Sequence, residues 1–157
     1  MVAKKKSHNG GLEGLVSRLK NMSKAAVYIG VPQANASRTG AKINNAELLY
    51  IHTNGSPARN IPARPVIEPA LKYHKAKVMA QYEKAVSAAA SGNQQAFAAA
   101  LHRTGLAGQN AAREWFTNPA NNWAPNSLRT IARKGSSRPL IDTATLRKSI
   151  IYVVREE

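Results

Sequence analysis

The spacing of apolar residues changes several times along this chain, and each change marks an element. Leu12, Leu15, Val16 and Leu19 recur at spacings of three, one and three, one face of a helix that ends near Met22. The next stretch, 25-AAVYIGVP-32, is β-rich: Val27, Ile29 and Val31 alternate on one face, and Pro32 stops it because it has no N–H for a ladder. Residues 33–45 are small and polar and read as a flexible loop. A short helix follows over 45–55, capped by Asn44 or Asn45 and closed by Asn54-Gly55. Pro57, Pro62, Pro65 and Pro69 then forbid a regular helix across 56–70 and favour a stiff, extended connection. Pro69 suits the first turn of the following helix, where a missing N–H costs nothing.

The longest periodic signal comes next. Ile67, Leu71, His74, Val78, Tyr82, Ala85 and Ala89 form one continuous helical face from about residue 66 to 90. Ser91-Gly92-Asn93 reads as a stop followed by a new start. A second helix carries Phe97, Leu101, Thr104, Gly108, Ala112 and Trp115, and the pair predicts an antiparallel hairpin. Gly105 and Gly108 each cost that helix about 1 kcal/mol, so they are expected to admit another backbone closely or to kink it. Residues 117–139 show no period and read as a long functional or partner-ordered loop. The run 149-SIIYVVRE-156 is a second strand. Two strands alone are marginal, so they need the long helices, or strands of neighbouring subunits, as cover.

These elements predict an α+β fold: a small antiparallel β-sheet packed against a long antiparallel helical hairpin, with extended Pro-rich and polar loops. The expected organisation is a disordered basic tail over 1–10 and a single domain over 11–157. A chain of 157 residues buries roughly 70% of its unfolded surface, enough for a core without staples. The absence of cysteine excludes disulfides and thiolate metal sites and fits a reducing cytoplasm. No apolar stretch follows Lys4-Lys5-Lys6, so neither a signal peptide nor a membrane span is expected. Alanine dominates the hydrophobic residues, which favours close-packed helices over an aromatic β core.

Charge widens the choice of partners. A net charge of +15 attracts nucleic acid, anionic lipid or an acidic protein face, and the cations are spread along the chain. Chemistry is sparse. Glu13, Glu47, Glu68, Glu83, Glu114, Asp142, Glu156 and Glu157 make no close general acid/base pair within the folded region. His8, His52, His74 and His102 have no metal spacing, and His74, on the apolar helix face, reads as a core or interface residue. Ser136 and Ser137 lack a nucleophile elbow. The chain is read as a non-enzyme with no cofactor and no metal. Trp115, Phe116 and Trp123 lie near Arg113 and Arg129, but they read as core and loop anchors before base-stacking groups. Asp142, the lone aspartate, reads as the N-cap of a short helix through Leu146 and Ile150, with Ile141 stapling against Leu146. Beyond that helix the chain straightens into Ile150–Val154.

Two segments, in this order and flanking the helical middle, carry a resemblance. They are 48-LLYIHTNGSPARNIPARPVIEPAL-71 and 134-KGSSRPLIDTATLRKSIIYVVR-155. Together they resemble the neck or tail-completion proteins of tailed bacteriophages, also called minor tail components or head–tail joining proteins. The resemblance implies a non-enzymatic structural protein of the virion neck or tail, assembled in the bacterial cytoplasm. It further implies rings of six or twelve copies that touch the head connector or adaptor and the tail-terminator or tail-tube proteins. The chain departs from the pattern at Ala144, where glycine is usual, and at His52-Thr53-Asn54, where an acidic residue usually precedes the glycine. A tail-terminator role, or a basic protein that contacts genome DNA, are the alternatives. Arg64, Pro65, Pro69, Trp123, Asp142 and Arg147 are the candidate interface residues. The Arg64 guanidinium is expected to pair with a neighbour's carboxylate.

Overall fold

The computed structural model describes residues 11–156, so the tail read over 1–10 and the terminal Glu157 lie outside the described residues. The fold is α+β, with seven α-helices and one two-stranded antiparallel sheet among those residues. Helix α1 (Leu12–Met22) leads into strand β1 (Ala25–Gly30). Helix α2 (Asn45–Asn54) starts with a reciprocal capping box: the Asn44 side chain accepts from Glu47 N–H, and the Glu47 carboxylate accepts from Asn44 N–H. Gly55 closes it at φ 73°, and a Cβ there would lie 2.8 Å from the Ala63 nitrogen, so conformation and space both require glycine.

The stiff arm after Gly55 is pinned as well as extended. Ser56 and Ile61 form an isolated antiparallel bridge around a 3-10 turn at Pro57–Arg59. Helix α3 (Ile67–Tyr73) has Pro69 in its first turn, as its missing N–H allows. The single helix expected over 66–90 is bent: His74 (φ −94°, ψ 17°) separates α3 from α4 (Lys75–Ser91). The bonds from His74 N–H to Ala70 O and from Val78 N–H to His74 O both survive, so the ladder turns without opening. No proline or glycine sits at the bend. It lies where the His74 ring meets the Glu114 carboxylate of the facing helix at 2.6 Å.

Helix α5 (Gln94–Glu114) is unbroken and runs back along α4 as the hairpin partner. Its glycines neither kink it nor admit a backbone; they admit two side chains of the sheet. Strand β2 (Ile151–Glu156) pairs β1 in a register that sets Ile29 opposite Tyr152. A Cβ on Gly105 would fall 2.2 Å from the Tyr152 ring, and one on Gly108 would fall 2.2 Å from Ile29 Cδ1. The helix is therefore flat where that cross-strand pair lies on it. On the sheet's other face Tyr28 is exposed, with the Arg155 guanidinium 5.7 Å from its ring centroid.

Two apolar clusters form the core. Alanine-rich Ala85, Ala89, Phe97, Ala100 and Leu101 join the far half of the hairpin to Val27 and Val154. The other cluster gathers Leu49, Val66, Ala70, Trp115, Leu146 and Ile150. It therefore draws together the two segments, 48–71 and 134–155, that are distant in sequence.

Two expectations fail near the C-terminal end. Residues 117–139 contain a helix, α6 (Leu128–Lys134), capped by Ser127 and closed by Gly135 at φ 66°. It buries no residue, and Leu128 is 85% exposed, so it leaves no apolar period to read. Asp142 is not a helix cap. Helix α7 (Thr145–Ser149) begins after Ala144, which stands at φ 60° in the left-handed region and provides no side-chain cap. That turn places residue 142 outside the helix's first turn, and Asp142 is exposed to solvent. Ile141 does pack against the cluster that contains Leu146.

Candidate functional site

Where α2, the proline arm, α6 and the turn into α7 meet, they leave a cleft of about 600 Å³. Its walls come from segments far apart in sequence, so the fold must hold them together. Arg64 does much of this. It is 7% exposed; its Nε donates to Ala124 O at 3.0 Å, and its Nη2 donates to Ala124 O at 2.8 Å and Pro125 O at 3.0 Å. Its own N–H donates to His52 O at 2.6 Å, which ties the arm to α2. The neighbouring Pro65 carbonyl accepts from Trp123 Nε1 at 3.1 Å, and the Trp123 ring packs edge-on against Phe116. Asn126 carries the chain onward by donating to Ser137 O and Arg138 O. The long loop is thus held by the protein itself, through backbone carbonyls that a fork of donors suits well. The loop over 33–45 is held similarly: buried Asn45 donates from Nδ2 to Asn35 O and Ser37 O.

The C-terminal wall is fixed by two arginines, one on α5 and one on α7, that bond backbone carbonyls across the seam. Arg147 Nε donates to Arg113 O at 2.7 Å, while Arg113 donates to Ile150 O and Lys148 O at 2.9 Å each. Of the candidate interface residues, Arg64 therefore lines one wall of the cleft, the Pro65–Trp123 bond braces the arm and loop next to it, and Arg147 locks α7. Pro69 starts α3 behind it. Asp142 stands at the rim and lines the cleft. Arg64 is turned inward onto carbonyls of its own chain, where the sequence predicted a neighbour's carboxylate.

The electrostatics of the cleft are one-sided. Arg38, Arg64, Arg133 and Lys134 line it against the single carboxylate of Asp142. His52 reports the consequence. Burial, and then the charges of Arg64, Arg38 and Lys134, push its imidazole down to about 4. Its Nδ1 is buried without a hydrogen-bond partner. Burial also lowers the Lys134 ammonium, partly offset by Asp142, and lowers the Arg64 guanidinium.

Backbone strain gathers at the same place. Asn60, Asn122, Leu140 and Ala144 are the non-glycine residues with positive φ among the described residues, and three of them, all but Asn122, line the cleft. Leu140, at φ 56°, is the costly one, since a bulky side chain rarely adopts that region. Arg38 and Arg133 were not singled out from the sequence, whereas His52 stood out only as a departure from the resembled pattern and Lys134 only as the first residue of the second segment. The four come from three separated stretches, and no motif in them spells a cleft.

Among the described residues no three of His, Asp and Glu gather to hold a metal ion, and the one ion pair, His74–Glu114, links the α3–α4 bend to α5. No family model, curated protein or solved structure matches this chain.

Proposed function

We propose that this protein is a structural, non-catalytic component of a tailed-bacteriophage particle, a ring-forming subunit that acts at the head–tail junction in tail completion or head–tail joining. The carrying observation is that the two segments bearing the family resemblance converge. Leu49, Val66 and Ala70 of the first pack with Leu146 and Ile150 of the second, and together the segments line the basic cleft. A docking surface built from both segments requires them to meet in space, and their shared apolar cluster brings them together beside the cleft. Heterologous contacts between such surfaces close into rings, and self-held loops meet a neighbour with little entropy left to lose. The partners under this reading are further copies of the chain, the connector or adaptor, and the tail-terminator or tail tube.

Deleting the gene from the phage that encodes it and imaging the particles tests this. Headful particles without tails, or joined particles that leak DNA, are expected. Intact infectious virions would sink it. The net charge of +15 favours a second reading, contact with genome DNA in a channel. Under that reading affinity for duplex DNA falls steeply as salt rises. Filter binding with no retention at low salt ends it.

A further inference from the structure

We propose that the basic cleft docks an acidic peptide segment of a partner protein, its carboxylates meeting Arg38, Arg133 and Lys134 and its apolar side chains meeting Leu48, Ile61 and Leu140. That the occupant is a protein rests on the assembly reading above; the chemistry of the cleft rests on its own residues.

Charge complementarity is the first argument. The cleft holds four cations and one carboxylate, and none of those cations has an ion-pair partner within 4 Å among the described residues. Arg64 is occupied by carbonyl oxygens, which leave its positive charge uncompensated. A carboxylate brought beside these groups gains in a partly desolvated site what it cannot gain on an open surface. His52 adds to this one-sidedness: it lines the cleft as a neutral ring, held so by burial and by the charges of Arg64, Arg38 and Lys134, and supplies no negative charge to offset them.

The apolar part of the lining selects a peptide over nucleic acid. A phosphodiester strand offers nothing to Leu48, Ile61 and Leu140, and no Phe, Tyr or Trp lines the cleft to stack a base. Trp115 and Phe116 are buried in the core instead. A volume of about 600 Å³ takes a few side chains of an extended segment and is far too small for a duplex.

Fluorescence anisotropy with the full-length protein tests this, using a short labelled peptide that alternates glutamate and leucine, and a labelled oligothymidine of equal charge. Saturable peptide binding is expected at physiological salt, with the oligothymidine at least tenfold weaker. Arg38→Glu with Arg133→Glu should weaken the peptide at least tenfold. Lys77→Glu with Lys84→Glu, on exposed α4 positions away from the cleft, makes the same change in net charge and should weaken it less than threefold. Equal losses in the two pairs, no peptide binding to the unaltered protein, or tighter binding of the oligothymidine would each overturn the proposal. Thermal melts check folding; if the reversals disturb it, Arg38→Gln with Arg133→Gln replaces them with the same expected order. Peptide binding alongside intact virions from the deletion defeats the neck reading alone. Tailless particles alongside a cleft that binds nothing defeat this inference alone.

Discussion

His52 makes this fold sensitive to acid. Its imidazole titrates near 4 in the folded chain, and an unfolded histidine titrates near 6.5. Between those values the unfolded chain takes up the proton and the folded one refuses it. The His52 contribution to stability is therefore constant above about pH 6.5, falls as pH drops toward 4, and levels off below. The ring is partly accessible and water screens it, so the loss is about 1–2 kcal/mol, well under what the full shift would give. Urea midpoints at pH 7 and pH 4.5 measure it: His52→Gln should be clearly less acid-sensitive than the unaltered chain, and identical acid sensitivity would remove His52 as the cause. Ala144 offers the complementary residue-scale test. A left-handed alanine costs about 1–2 kcal/mol, and glycine forfeits about 0.5–1 kcal/mol in the unfolded chain. Ala144→Gly, which restores the glycine usual in the resembled family, should raise stability by about 0.5–1 kcal/mol in urea titration.

At the scale of elements, the α5 glycines show how context reverses a propensity. Glycine to alanine inside a helix ordinarily gains about 1 kcal/mol. At Gly105 the new Cβ would lie 2.2 Å from Tyr152 Cδ2 and 2.6 Å from Cγ, the root of a ring fixed in the sheet. Overpacking of that kind costs about 1–3 kcal/mol or more, so Gly105→Ala should lower the melting temperature by several degrees. At Gly108 the nearest atom is Ile29 Cδ1, the end of a side chain that another rotamer moves aside. Gly108→Ala should be much milder, and equal losses at the two sites would refute this account of the contact. The same helix shows what sequence can reveal. Its buried face, from Phe97 through Ala112 to Trp115, was legible because a helix against a core repeats its apolar residues every three or four positions. The strands were legible for the same reason with a different period. Helix α6 was not, because it buries nothing and its only marks are Ser127 and Gly135. The bend at His74 was not, because the Glu114 that meets its ring lies 40 residues away. The cleft was least legible, since Arg38, His52 and the Arg133-Lys134 pair come together only after folding.

Across the whole molecule, Arg64 is the residue on which loop, arm and cleft depend together. Its charge-assisted bonds hold Ala124 and Pro125 from a distance of 60 residues, and Trp123 adds one bond to the same arm. Beyond this clamp, 128–138 packs no fully buried residue into the core, so little else opposes its release. Removing the guanidinium also leaves carbonyl acceptors unpaired, a cost of about 1–3 kcal/mol for each that stays buried. The Arg64 hydrogen bonds run to Ala124, Pro125 and His52, outside the hairpin and the sheet, so the loss should appear as local opening before it appears as global unfolding. Limited trypsin digestion under native conditions reads this directly, because Arg129, Arg133 and Lys134 all lie in the segment that would be freed. Arg64→Ala should be cut there many times faster than the unaltered chain, while the helical circular dichroism signal below its melting point stays nearly unchanged. Arg64→Lys should fall between the two, since an ammonium restores the charge but lacks the planar fork that reaches both carbonyls. Were the alanine variant cut no faster than the unaltered chain, the loop would owe its position to contacts other than this clamp. A neighbour's carboxylate would then again be the better expectation for Arg64.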